Sequence, residues 1–283
     1  FSLYSSRSKN HTMVEQSRSK VKGILDYFEK FENEFGLLED LEKWVFVEWS
    51  KANDRDRIIG VNFPSNMLYA HALELAGRLY DIDHYIEKAN RLRKAICQMS
   101  FNGTYFEDNA IRNRKGELVL VGHLSEVCQY YAFYFKTADS QQYERLYRLM
   151  KDEFGPRRAP GAYPQVAKAN AIVGNTLRML YLLQRGERAL VLSESLDYFY
   201  RMAKRTGTLW EHDSPHGSLN HCFASVAANI LLDCYCGFGG FDSESKMPVL
   251  SSPIADSFEL EVPYKDKFWR IARENGKTIA RLL

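Results

Sequence analysis

The chain has 283 residues, 45% of them hydrophobic and 26% charged, with a formal net charge of +2. This is the composition of a globular chain able to bury a large core. Its charges are interspersed, which argues against nucleic acid or an anionic membrane as the main partner, and its longest apolar run, after Ser218, is broken by Asn229 and Asp233 and is too short to cross a bilayer.

Taken in chain order, eight segments carry helical period, near 13–34, 64–81, 84–100, 123–137, 140–153, 165–184, 187–205 and 218–236. They alternate in kind. The first, third, fifth and seventh are charged, as in EKANRLRKAICQ. The others are rich in apolar and small residues, as in NMLYAHALELAGRLY and SVAANILLDCYC. The pattern predicts outer, half-wet helices and inner, nearly buried ones. Links from inner to outer helices are short (YDID, TADS, QRGE) and make helical hairpins. Links from outer to inner helices are long and chemically rich, so their loops are expected at one end of the inner helices, with function on that face. The fold class is therefore mainly α: repeated hairpins over 1–236, followed by a loop and a short β-structured segment over 237–283. In that tail GFGGFDSESKMPVLSSP reads as loop, SFELEVP as a strand, and Asn275-Gly276 as a hairpin turn.

Five cysteines, Cys97, Cys128, Cys222, Cys234 and Cys236, form no CxxC and read as free thiols of a reducing compartment. The sequons at Asn10 and Asn102 are common by chance and carry little weight. The chain opens on Phe1 with no initiator Met or signal peptide in view, as a processed protein or a piece of a longer one does.

The richest stretch is TGTLWEHDSPHGSLNHCFAS, residues 206–225. Ser218 reads as the N-cap of the helix that follows, which puts Asn220 and His221 in its first turn. Glu211, beside Trp210 and near His221, suits general acid/base work. His212, Asp213 and His216 read as solvated loop residues, and no HxH or HExxH spacing supports a metal. A second constellation is KWVFVEWSKANDRD, residues 43–56. There Trp44, Phe46 and Trp49 surround Glu48, as a sugar platform with a hydroxyl acceptor would; the bland alternative is a short strand packed on Val45 and Val47. A third is YFEDNAIR, where Asp108 is the leading polar candidate. The loop beyond it ends in GHLSE, with His123 and Glu126, and Tyr163 of PGAYP is placed to line a pocket. No phosphate loop, nucleophile elbow or cofactor motif occurs, so no cofactor is expected. Carboxylates with aromatics at the mouth of a helical array point to carbohydrate chemistry, where glycoside cleavage needs two carboxyl groups.

The succession FVEW, YAHALELAGRLY, GTYFEDN, HLSE, and TGTLWEHD with SLNHCFAS resembles the catalytic domain of bacterial α-L-rhamnosidases, over about residues 20–240. The resemblance implies an (α/α)6 barrel and an inverting glycosidase in a bacterial cytoplasm or periplasm, with a carbohydrate substrate. It implies Glu211 as general base, and Trp210 and His221 as sugar-pocket residues. Glu48-Trp49 stands where the family usually has Asp-Trp. The family's general acid lies upstream, in a segment this chain does not contain, and eight helices stand where the ring has twelve. The expected partner is the amino-terminal remainder of the same protein, or a second copy. Two other readings stand beside it: a non-catalytic glycan- or protein-binding scaffold, and a different six-hairpin glycosidase.

Overall fold

The computed structural model describes residues 1, 4–5, 11–242, 245–264 and 267–283; Asn10 lies outside them. Eight principal helices follow one another: α1 (Arg18–Glu29), α2 (Phe63–Tyr80), α3 (Asp83–Ser100), α4 (Glu126–Tyr134), α5 (Glu144–Asp152), α6 (Thr176–Gln184), α7 (Arg188–Thr206) and α8 (Val226–Cys236). α2 and α4 bury residues on nearly every side, whereas α3 and α5 bury a single stripe. The inner helices pack in series, α2 on α4, α4 on α6 and α6 on α8; α3 completes a hairpin with α2, and α7, which follows α6 by a short link, packs more extensively on α8 than on α6. Among the described residues no comparable packing joins α8 back to α2, so the inner helices form an arc. No helix among them is long and apolar enough to cross a membrane.

Local chemistry fixes the helix ends. The Asn62 side chain accepts from Ser65 N at 3.0 Å and Pro64 occupies the first turn of α2. Ser125 caps α4 by accepting from Cys128 N. Gly207 and Gly237, both left-handed, end α7 and α8. At Gly77 a Cβ would meet Ile86 Cγ1 at 2.7 Å, so glycine lets α2 and α3 approach.

Two predicted helices are shorter than their period suggests. The segment from 165 opens with a strand, β5 (Val166–Ala167), paired in parallel with β4 (Leu124–Ser125). A π-type turn, Ala171–Asn175, follows before α6 begins. The segment from 218 becomes regular only at Val226, after a 3-10 turn over Cys222–Ser225. In the second, the local loop takes the amides, Ser218 N going to Glu211 Oε2 and His221 N to Leu209 O. In the first, side chains elsewhere in the fold hold the backbone amides that a helix would have used. Glu126 Oε2 takes Ala169 N at 3.0 Å, and Glu48 Oε1 takes Gly174 N at 2.6 Å. The remaining strands are small. β1 (Val61–Asn62), β2 (Asn109–Arg112) and β3 (Leu118–Leu120) make one antiparallel sheet on the loop end, and β6 (Phe238–Phe241) pairs with β7 (Pro248–Leu250).

The tail is a three-stranded antiparallel meander, β8 (Phe258–Tyr264), β9 (Lys267–Glu274) and β10 (Lys277–Leu282). Asn275 and Gly276 both have positive φ, the geometry of a two-residue hairpin. Val262, Trp269 and Ile271 form its own small core. All five cysteines are free, with Cys128, Cys234 and Cys236 buried.

One buried ion pair ties α5, α6 and α7 together. Arg178 of α6 pairs with Glu194 of α7 and donates to the carbonyls of Met150 (3.0 Å) and Lys151 (2.8 Å) in the last turn of α5. Gly155 makes room: a Cβ there would strike the guanidinium. Removing one member strands a buried charge, so Arg178→Ala should lower stability by about 3–5 kcal/mol. Replacing both Arg178 and Glu194 with Met and Leu should cost much less. Urea denaturation of the two variants checks this, and equal losses would contradict it.

Candidate active site

The stretch 206–225 folds back on itself as an irregular hairpin. Glu211 N donates to Ser218 O at 2.9 Å, His221 N to Leu209 O at 3.0 Å, and Thr208 Oγ1 to Leu219 O. Ser218 is therefore a rung of this loop and not the cap of α8. His221 caps the 3-10 turn, its Nδ1 accepting from Phe223 N at 3.3 Å. Gly217 turns the chain with φ 67°, and a Cβ there would crowd His212 and the Glu211 carboxylate. Glu211 Oε2 accepts from Ser218 N at 3.2 Å, while Oε1 stands 3.8 Å from His221 Nε2. The side chains are 17% and 24% exposed, so the pair is held by the loop yet open to solvent.

Beside this pair runs a strip of rings. Trp44 and Phe46 are 5.2 Å apart, Phe46 and Trp49 4.8 Å, Trp49 and His212 6.1 Å, and His212 and His216 5.3 Å. Trp44 is 69% exposed and Trp49 40%. Residues 43–49 form no strand, although Val45 and Val47 are buried as that alternative required. Behind the strip, Trp44 and Phe46 wall an apolar cavity of about 550 Å³ with Ile24 and Phe28 of α1 and Leu68 of α2.

The other sequence candidates lie elsewhere. Trp210 is buried, with Nε1 donating to Thr206 Oγ1 at 2.7 Å and Arg205 over its ring; it wedges the base of the loop and offers no face to a sugar. Asp108 is sealed between Arg57 Nη1 and Ser125 Oγ, each at 2.6 Å, and burial outweighs both partners to push its carboxyl up to about 6. It joins β2 to β4 in place of facing a pocket. Glu126 is saturated by Arg158 at 2.8 Å, Tyr130 and Ala169 N. His123 lies between Asn109 and Asp56. Tyr163 stacks edge-on against Phe154 and under Arg158, and borders a hollow with Tyr105 and Arg145; none of its ring partners lies in the 206–221 loop. The Asn102 amide is engaged by Glu107, and its oxygen accepts from Thr104 N and Tyr105 N.

Glu48 departs most from expectation. Trp44 and Trp49 face outward, Phe46 is half-buried between them and the cavity, and Glu48 faces inward, fully buried. It is not a hydroxyl acceptor on a platform. Burial raises its carboxyl to about 7 against the amides of Asn170 and Gly174 and the Ser50 side chain; the nearby Glu126 adds to the rise.

Asn170 was not marked by the sequence reading, yet it brings the two constellations together. Its Nδ2 donates to Trp49 O at 2.6 Å and lies 2.8 Å from His212 Nδ1, and its Oδ1 accepts from Ala171 N and Asp213 N. The available signal was KANAIVGN, where Gly174 and two Asn interrupt a helical pattern. Among the described residues no group of three or more His, Cys, Asp or Glu is arranged to hold a metal ion.

No protein-family model and no curated protein matches the sequence. Solved structures do match the fold. A GH78 family rhamnosidase of Bacillus sp. GL1 superimposes with a TM-score of 0.77 at 16% identity, over 99% of this chain and 31% of that one. A rhamnosidase from Klebsiella oxytoca with rhamnose bound gives a TM-score of 0.61 at 15% identity, over 82% of this chain and 44% of that one. The fold is thus rhamnosidase-like, and the chain spans less than half the length of either structure.

Two outcomes follow for Glu48. Its raised value means that its stabilising contribution is fully present below the ordinary carboxyl range and is lost as pH rises through about 7. Glu48→Gln should therefore gain stability relative to wild type between pH 5 and 7, as about one and a half kcal/mol per unit at most, and run parallel above that. Thermal unfolding across pH checks it, and parallel curves throughout would refute it. A Cβ at Gly174 would collide with Glu48 Oε1 and lie 2.8 Å from Ala169 Cβ. Gly174→Ala should cost about 1–3 kcal/mol in urea denaturation.

Proposed function

We propose that this chain is part of a glycoside hydrolase that cleaves α-L-rhamnosides with inversion, its helices completing an (α/α)6 ring with the remainder of the protein or with a second copy. One observation carries the reading: a solvent-open carboxylate, Glu211, stands 3.8 Å from His221 beside the Trp49–His212 strip, on a fold matched by two rhamnosidases. Glu211 deprotonates a water. His221 lies against that carboxylate and orients a sugar hydroxyl. Trp49 and Trp44 offer apolar faces to the glycoside. Trp210 acts by bracing the loop. An inverting site sets its acid about 6.5–9.5 Å from the base so that water fits between them. Asp108, Glu126 and Glu48 are buried, so none of them fills that role, and the reading assigns the acid to the remainder of the protein. The exposed apolar residues Ile24 and Leu68 at one end of the arc, and Tyr235 of α8 at the other, support completion by further chain.

A second reading, a sugar-binding module without turnover, is favoured by the lack of an assigned acid: cleavage needs two carboxyl groups, and Glu211 is the one assigned here. Hydrolysis of p-nitrophenyl α-L-rhamnoside by the complete gene product separates them. Turnover that falls about a thousandfold or more in Glu211→Gln supports Glu211 as base. Rhamnose binding with no turnover in either protein supports the binding module. Turnover unchanged in Glu211→Gln removes the proposed role of this residue.

A further inference from the structure

Three buried polar atoms beneath the Glu211 loop have no hydrogen-bond partner: Glu48 Oε2, Asn175 Oδ1 and Tyr198 Oη. They come from three parts of the chain, the 43–50 segment, the turn before α6, and α7. They are also neighbours. Asn175 approaches the Tyr198 phenol, which lies in the fields of Glu48 and Asp213. Leaving such atoms unsatisfied is costly, so three neighbours together mark a polar bed and not a scattering of packing faults.

The bed lies directly under the functional loop. Glu48 Oε1 holds Gly174 N, and its neighbour Trp49 gives its carbonyl to the Asn170 side chain. That same side chain takes Asp213 N at 2.8 Å and meets His212, the two residues that follow Glu211.

We propose that Glu48 is a positioning residue, which with Asn175 and Tyr198 forms the seat that fixes the loop carrying Glu211. A donor count says which form of Glu48 does this. With an ionised carboxylate, Glu48 Oε2 and Asn175 Oδ1 are both acceptors, and the donors beside them are the Tyr198 O–H and the Ser50 hydroxyl that lies against Glu48. A protonated Glu48 adds a donor of its own toward Asn175 and Tyr198, and the three atoms satisfy one another directly or through an ordered water. The surroundings agree. The charged and titratable groups facing Glu48 are Glu126 and Tyr131 of α4, Tyr198 of α7, and through Tyr198 the Asp213 carboxylate; the Glu126 charge is already taken by Arg158. Among the described residues no cation pairs with Glu48. Burial accordingly lifts its carboxyl to about 7, so the seat is intact at pH 6 and strained at pH 8.

The catalytic meaning of this seat rests on the reading of Glu211 as base; the seating itself does not. Hydrogen exchange of residues 206–221 in the whole chain tests it without any need for turnover. In wild type, protection factors in this loop should be about tenfold lower at pH 8 than at pH 6. Glu48→Gln, neutral and still a donor, should keep its protection at both. Tyr198→Phe should lower it at pH 6. Wild-type protection that does not change with pH, a Glu48→Gln loop that loosens as wild type does, or an unchanged Tyr198→Phe loop would each overturn the proposal. If the complete enzyme turns over α-L-rhamnosides, kcat should lose its alkaline decline in Glu48→Gln with KM unchanged. If it does not, the catalytic reading falls while the exchange result stands by itself.

Discussion

The side chain of Asn170 is the small contact on which the arrangement of the site depends. Its amide donates to the Trp49 carbonyl and meets His212, while its oxygen accepts from Ala171 N and Asp213 N. Its hydrogen-bonding capacity is thereby shared between its own following residue and two chain segments remote in sequence, at Trp49 and at His212–Asp213. A carboxylate in its place would have no donor for the Trp49 carbonyl. A shorter side chain would not span the gap. Because Asn170 occupies this junction, the aromatic strip at 44–49 and the Glu211 loop meet edge to edge, and a stretch that reads as helix opens into a strand and a turn.

Around that junction the fold handles buried charge in two ways. Most buried carboxylates are matched: Asp108 by Arg57, Glu126 by Arg158, Glu194 by Arg178. In each case the cation also caps carbonyls of a neighbouring segment, so the pair fixes geometry as well as charge. Arg158, for instance, gathers the carbonyls of Ala162, Tyr163 and Val166 and holds the Pro-rich loop against α4. Glu48 is handled the other way. It sits among backbone amides, phenols and a second carboxylate, a setting in which the neutral acid is the cheaper form. The contrast separates residues that knit the scaffold from one whose charge state is left open under the loop.

The alternation of charged and apolar helices was legible because each class leaves a direct periodic trace: a one-sided stripe in α3 and α5, near-continuous burial in α2 and α4. The Asn275-Gly276 hairpin was legible for a local reason too, since few other dipeptides adopt two positive φ angles without strain. Around the site the local signal misled. Ser218 has the chemistry of a cap but is used as a loop rung, because Glu211 and Leu209 claim the backbone across from it. In WVFVEW the two tryptophans point outward, while the carboxylate expected beside them on the surface is fully buried.

The sequence by itself determined the order of the principal helices, the amphipathic class of α2 to α5, the β-structured tail, and the clustering of Glu211, Trp210 and His221 in one loop; α8, expected to be nearly buried, buries one side only. These follow from period, turn chemistry and proximity along the chain, which are one-dimensional properties. Only the tertiary structure decided that Glu211 and His221 remain open while Trp210, Glu48 and Asp108 are enclosed. It also joined the loops at 43–50 and 206–221 through Asn170. Burial and partnership depend on what the remainder of the chain places against a side chain. For Glu48 the deciding neighbours are Gly174, Glu126 and Tyr198, none closer than 78 positions along the sequence.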